Sequence, residues 1–124
     1  VHVHHGLNAR ADAWATHCQA SCDALGVPLH IARVRVDLRA GTGIEAAARE
    51  ARRAAFVELL QPGEVIALAH HRDDQAETFL LRALRGSGPD GLAAMRAWTA
   101  LGAGHAWRPW LAMSRDAITA HARS

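Results

Sequence analysis

The segment His70-His71-Arg72-Asp73-Asp74-Gln75-Ala76-Glu77-Thr78 gathers two imidazoles and three carboxylates within nine residues. Carboxylates in such a group can hold Mg²⁺ or an ammonium group, and imidazoles can carry protons or ligate a metal. Before it, Val65-Ile66-Ala67-Leu68-Ala69 has the length and β-branched start of a strand; after it, Phe79, Leu80 and Leu84 follow helical spacing. The cluster therefore falls where a strand ends and a helix begins. In open α/β sheets ligands bind at that edge, and the helix N-terminus favours phosphate. A structural reading competes, because Asp74-x-x-Glu77 also forms a capping box with Asp74 as N-cap. That box uses only two of the five groups and leaves His70, His71 and Asp73 unexplained. The cluster reads as chemical.

The elements that position it follow from periodicity and breakers. Val1-His2-Val3-His4 alternates like a strand and stops at His5-Gly6. Ala11 to Leu25 forms an amphipathic helix with Trp14, Ala15, Cys18, Cys22 and Leu25 on one face, closed by Gly26 and Pro28. Leu29–Val36 reads as a second strand, Gly41-Thr42-Gly43 as a loop, and Ile44–Leu60 as a long helix. That helix turns Ile44, Ala47, Ala48, Ala51, Ala55, Phe56, Leu59 and Leu60 inward, and Pro62-Gly63 stops it. Beyond the Val65–Ala69 strand and a helix to about Leu84, Arg85–Gly91 is a loop, because its glycines and Pro89 cannot extend a helix. A short helix over Leu92–Met95 and a last one capped by Ser114 complete the chain. Strand, helix, strand, helix, strand, helix predicts a parallel α/β sheet with right-handed crossovers and helices on both faces, in one domain over 1–124.

At 124 residues and half hydrophobic, the chain is long enough for a real core, and no apolar run approaches the roughly 20 residues of a membrane span. No signal-peptide pattern is present, and a start at Val1 rather than Met reads as a fragment, a processed product, or a chain whose true N-terminus is not shown. All 14 basic residues are arginine. Residues 1–77 hold 8 Arg against 10 Asp and Glu, and the remainder 6 Arg against Asp90 and Asp116. The basic C-terminal third suits a polyanion or a solvated face. Cys18 and Cys22 have neither CxxC nor zinc spacing and read as buried small hydrophobes in a reducing, cytoplasmic compartment. His2, His4 and His5 with His70 and His71 allow a metal reading, against polar or packed positions on the strand. Trp98, Trp107 and Trp110 either stack on nucleobases or pack a tail onto the sheet.

In order, His2-Val3-His4-His5-Gly6-Leu7, Gly43-Ile44-Glu45-Ala46-Ala47-Ala48-Arg49-Glu50-Ala51-Arg52, the His70–Thr78 block, Arg85-Gly86-Ser87-Gly88 and Arg108-Pro109-Trp110-Leu111 resemble the catalytic domain of the tRNA(Ile)-lysidine synthetase family. These are PP-loop (N-type) ATP pyrophosphatases, and the resemblance runs along essentially the whole chain. It implies a Rossmann-like sheet of the adenine nucleotide alpha hydrolase kind, with nucleotide across the strand C-termini. It implies a ligase: ATP adenylates the C2 oxygen of the wobble cytidine of an isoleucine tRNA, releasing pyrophosphate, and the amine of free lysine displaces AMP. Carried over by position, Asp74, Glu77, Arg49, Arg52 and His70 are catalytic. Val3, His5 and Arg85 meet the nucleotide, with Arg85 reaching a phosphate or the tRNA backbone. Asp74 and Glu77 can serve lysine's ammonium or Mg²⁺, Asp74 being the Mg²⁺ candidate; Arg49 and Arg52, three apart on one helix face, supply fixed cations for phosphate charge.

The departures are specific. The family's Ser-Gly-Gly-x-Asp-Ser loop and its strand are absent and are expected before Val1, which makes the fold incomplete at the N-terminus. The tRNA-recognition regions are also absent. Asn8, Arg53 and Trp110 stand where the family usually has Arg, Tyr and Leu. The fragment alone is expected to be inactive. Two rival readings remain: a divalent-metal phosphohydrolase built on the His/Asp cluster, and a non-catalytic module that binds nucleotide or RNA.

Overall fold

Alternation at His2-Val3-His4 produces β1 (His2–His4), and the small residues Ala11 and Ala15 let the helix that follows, α1 (Ala11–Ala24), lie close against it. The computed structural model describes residues 1–37, 43–86, 88 and 92–124. The chain divides into two compact units, Val1–Leu59 and Leu60–Ser124.

In the first unit β1 pairs in parallel with β2 (Ile31–Arg33), His2 opposite Ile31 and His4 opposite Arg33. The helix α2 (Ile44–Leu59) follows. The end of α1 is as expected: Leu25 caps it and Gly26 takes φ +66°, the left-handed turn that glycine accepts without strain. Among the described residues of this unit Ala11, Ala15, Ala55 and His4 are buried. Several residues expected to face inward do not, since Trp14, Leu25 and Ile44 are exposed. The reason for α1 is rotational: the row Ala11, Ala15, Cys18, Cys22 holds its buried and half-buried side, and Trp14 lies about 100° from Ala15. Cys18 and Cys22 are free thiols and half-buried rather than buried.

In the second unit β3 (Val65–Ala67) leads to α3 (Arg72–Leu84), followed by β4 (Trp98–Leu101), β5 (Gly104–Trp107) and a last helix, α4 (Arg115–Ala122). The sheet order is β3-β5-β4, with β3 parallel to β5 and β4 antiparallel to it. This corrects the all-parallel expectation: the sheet of this unit is mixed, and the partner of β3 comes from a stretch to which the sequence reading assigned no strand. A two-residue turn, Gly102-Ala103, joins the strands, with Leu101 opposite Gly104 and Gly102 at φ +57°. Leu60, Leu101 and Ala106 are buried. Trp98 neither stands alone nor packs down: it stacks on His105 at 5.4 Å and meets Trp107 at 6.5 Å, all on one face of the hairpin.

Ser114 caps α4 as expected, its Oγ accepting from the Ala117 N–H at 3.2 Å. The short helix expected over Leu92–Met95 does not extend through the stretch, because Ala94 has φ +54°. Of the two expected glycine loops, residues 41–42, 87 and 89–91 lie outside the described residues. Strands and helices with parallel pairing in each unit make the chain a mixed α/β protein.

Candidate functional site

The polar block after β3 folds differently from the box expected of it. The N-cap of α3 is His71, not Asp74. Asp74 sits at N3, where its Oδ2 accepts from the His71 N–H at 2.8 Å while His71 Nδ1 accepts from the Asp74 N–H at 3.4 Å. The box is thus shifted three residues toward the N-terminus, and Glu77 is not part of it. An accepting Nδ1 places the His71 proton on Nε2.

Neighbouring side chains in the block are tied to other segments. Asp73 Oδ2 accepts from the Arg115 N–H at 2.8 Å, joining α3 to the first turn of α4, and the Arg72 N–H donates to the Met113 carbonyl at 2.8 Å. The Arg115 N–H holds the Asp73 carboxyl below its ordinary pKa, with help from the Asp73 N–H itself and the charge of Arg72. Gln75 grips one residue twice: its Oε1 accepts from the Met95 N–H at 2.8 Å and its Nε2 donates to the Met95 carbonyl at 2.7 Å. Arg82, seven residues on and on the same helix face, donates to the Ala94 carbonyl at 2.9 Å. Glu77 is exposed, and among the described residues it makes no hydrogen bond or ion pair. It lies one turn from Asp74 on the same face of α3. His70 is half-buried two residues before the helix. Arg85 caps the far end of α3, about 16 Å from Asp74 along the helix axis.

The first unit carries the other expected residues. Val3 lies within β1 and His5 directly follows it, where Gly6 turns the chain at φ +67°. His5 Nδ1 is buried and has no hydrogen-bond partner among the described residues. Burial lowers the pKa of His5, and the charge of Arg52 pushes it the same way, followed by His2 and His4. Both effects favour the neutral imidazole, and Arg52 lies within electrostatic reach of the strand end. Arg49 and Arg52 are both exposed on α2, three residues apart.

The metal reading for the histidines fails locally. His2 Nδ1 lies 3.6 Å from Cys18 Sγ, and His4 Nε2 lies 3.1 Å from Asp12 Oδ1. Among the described residues no three His, Cys, Asp or Glu side chains converge as a metal cluster. Mg²⁺ differs, because it keeps several waters and needs only one or two carboxylates beside substrate phosphates. Asp74, with one oxygen outside the cap, and Glu77 fit that donor requirement.

Residues to which the sequence reading gave no role also hold each unit's part: in the first, Asp12 and Arg33 join His4; in the second, Gln75 clamps Met95 and Arg108 Nη1 donates to the Arg96 carbonyl at 2.9 Å. The Asp12 signal was an acid in the first turn of a helix, which by itself reads as a dipole effect. No sequence signal distinguished Gln75 from a solvated helix residue.

Comparison with known proteins agrees with this geometry. The tRNA(Ile)-lysidine synthase of Xanthomonas axonopodis pv. citri is 63% identical over 124 residues, all of this chain and 28% of that protein. The proteins of the same name from Xylella fastidiosa (strain Temecula1) and Chromobacterium violaceum are 60% and 54% identical, over 99% and 100% of the chain and 28% of each relative. The chain thus spans a little over a quarter of the length of the curated relatives it matches. The PP-loop domain family matches residues 1–124, and with parallel strands delivering an acidic helix start, the chain belongs to that family.

Proposed function

We propose that the chain is part of the catalytic domain of an ATP-dependent ligase that joins free lysine to the wobble cytidine of an isoleucine tRNA. One observation carries the reading. Of the acidic side chains in the block after β3, Glu77 is the one left unengaged, and it stands beside Asp74 at a helix N-terminus. The names of relatives matching along the whole chain support it.

In this reading 1–124 forms one Rossmann-like domain with helices on both faces, working in the cytoplasm. No helix among the described residues is long and apolar enough to cross a membrane. Nucleotide lies at the end of β1 by Val3 and the neutral His5. Arg49 and Arg52 face the phosphate charge that grows as pyrophosphate leaves; guanidinium forks match phosphate geometry. Mg²⁺, held by Asp74, would neutralise phosphate oxygens. Glu77 then holds the lysine ammonium and accepts a proton from it, so that the free amine can attack C2 and displace AMP. His70 stands beside this transfer. Arg85, a helix length away, meets the tRNA backbone. The metal-phosphohydrolase alternative, built on the His/Asp cluster, is favoured less, because His71 and Asp74 are engaged in the helix cap and Asp73 with the Arg115 N–H.

The test is lysidine formation by the full-length protein with ATP, Mg²⁺, lysine and an isoleucine tRNA transcript carrying cytidine at the wobble position. Nucleoside mass spectrometry should find lysidine with one pyrophosphate released per modified tRNA. Residues 1–124 alone should form none. Pyrophosphate release without lysine incorporation would contradict the assignment.

A further inference from the structure

The end of β1 is held by a polar latch that the reaction scheme above does not use. Asp12, in the first turn of α1, accepts through one oxygen from three nitrogens: Arg33 Nη1 and Nη2 at 3.2 Å each, and His4 Nε2 at 3.1 Å. The three side chains come from α1, β2 and β1. His4 is buried, whereas the side chains of Arg33 and Asp12 are 65% and 79% exposed. Because His4 Nε2 donates to Asp12, its 3.4 Å approach to Arg33 Nη1 is a close contact and not a second hydrogen bond.

Position makes the latch more than an exposed ion pair, which alone would do little. His4 and Arg33 are opposite one another in the parallel register, and the His4 carbonyl accepts from the Val34 N–H at 3.0 Å. The chain then leaves the strand at His5 and turns at Gly6. Among the described residues the buried side chains of α1 are the small Ala11 and Ala15, which offer few packing atoms to set the helix start against the strand end. Asp12 supplies the missing constraint, and its pKa is lowered by the Arg33 and His4 hydrogen bonds.

We propose that Asp12 is a positioning residue for the nucleotide subsite: it fixes His4, and through His4 the backbone of Val3–Gly6 against which ATP lies. The proposal rests on the assignment of Val3 and His5 to the nucleotide under Proposed function. It specifies an effect on ATP and none on lysine or tRNA.

In the full-length protein, Asp12→Ala should raise both the KM for ATP and its calorimetric Kd about ten-fold, with kcat and the KM values for lysine and tRNA changed less than about two-fold. Asp12→Asn, which keeps an accepting oxygen, should recover ATP affinity to within about three-fold of wild type. Should Asp12→Ala fail to fold, Arg33→Gln loosens the latch from its exposed side and carries the same expectation. Unchanged ATP affinity in an active protein overturns the proposal. So does a uniform loss in kcat and all three KM values that Asp12→Asn does not reverse, since that describes a structural role alone. A wild-type protein that binds no ATP overturns the functional reading itself, and the proposal with it.

Discussion

Replacing Gly104 by alanine tests the mixed sheet, because that fold requires a hydrogen where a methyl would go. Gly104 opens β5, the central strand of its sheet, opposite Leu101. A Cβ there would run into the Glu64 carbonyl oxygen and stand 3.2 Å from the Gln61 carbonyl oxygen. Both obstacles are backbone, so neither can rotate away. The Glu64 carbonyl also accepts from the His105 N–H at 3.0 Å, and moving it strains the first tie between β3 and β5. Overpacking by one methyl costs about 1–3 kcal/mol, and a weakened backbone hydrogen bond adds about 1. The sum, about 2–4 kcal/mol, is roughly a 30- to 1000-fold change in the unfolding equilibrium. With a urea m-value of about 2 kcal/mol/M, the midpoint should fall by about 1–2 M. Peptide-resolved hydrogen exchange of the full-length protein in urea reports on this unit through the His105 and Leu68 amides, which donate to the Glu64 and Trp107 carbonyls. Gly88→Ala is the control, because nothing lies within 4 Å of a Cβ there and its φ is not left-handed. If Gly104→Ala and Gly88→Ala unfold at the same urea concentration, the β3–β5 packing described above is wrong.

Glu77→Gln should leave the unfolding midpoint unchanged and cut lysidine formation about 10²- to 10⁴-fold; unaltered turnover would return Glu77 to a solvated helix face. Ala94→Gly should stabilise by up to about 1 kcal/mol, because φ +54° costs an L-residue about 1–2 kcal/mol and glycine's added unfolded-state entropy takes part of that back. A lower melting temperature would contradict the left-handed turn. The depressed pKa of His5 means that the unfolded chain binds a proton that the folded chain refuses as pH falls below the ordinary 6.5. Stability should therefore fall from pH 7.5 to 5.5 more steeply in wild type than in His5→Gln, and equal slopes in urea titrations would remove the neutral-imidazole assignment.

The parts legible in the sequence are those governed by local chemistry. Gly26 marked the end of α1 because only a left-handed residue closes that turn, and Ser114 marked the start of α4 because its hydroxyl replaces a missing backbone partner. The β3–α3 junction followed from the change of period after Ala69. The β4–β5 hairpin was missed because its strands are four residues each and alternate aromatic with small residues, a weak signal without the pairing. Gly102 was the available clue. The N-cap of α3 was misplaced because Asp is the commoner cap, and nothing local announces that His71 can accept from the Asp74 N–H. Apolar spacing on α1 and α2 marked faces but not their cover, so exposed Trp14 and Ile44 could not be distinguished from buried residues.

The same block shows why a dense polar motif should not be read as a set of equal catalytic groups. Successive helix positions turn by about 100°, so Asp73, Asp74 and Gln75 project in three directions. Each meets a different main-chain target: the Arg115 N–H, the His71 N–H and both polar groups of Met95. These bonds join α4, the helix start and the 94–95 turn into one support. Glu77 returns to the side of Asp74 after most of a turn but meets no such target, and its charge stays available. In a carboxylate already engaged by backbone N–H groups the charge is stabilised and its basicity falls, as in Asp73. The division between support and unengaged charge therefore follows from what each side chain already touches, and under the proposed function Glu77 is the residue whose loss should affect turnover without affecting the fold.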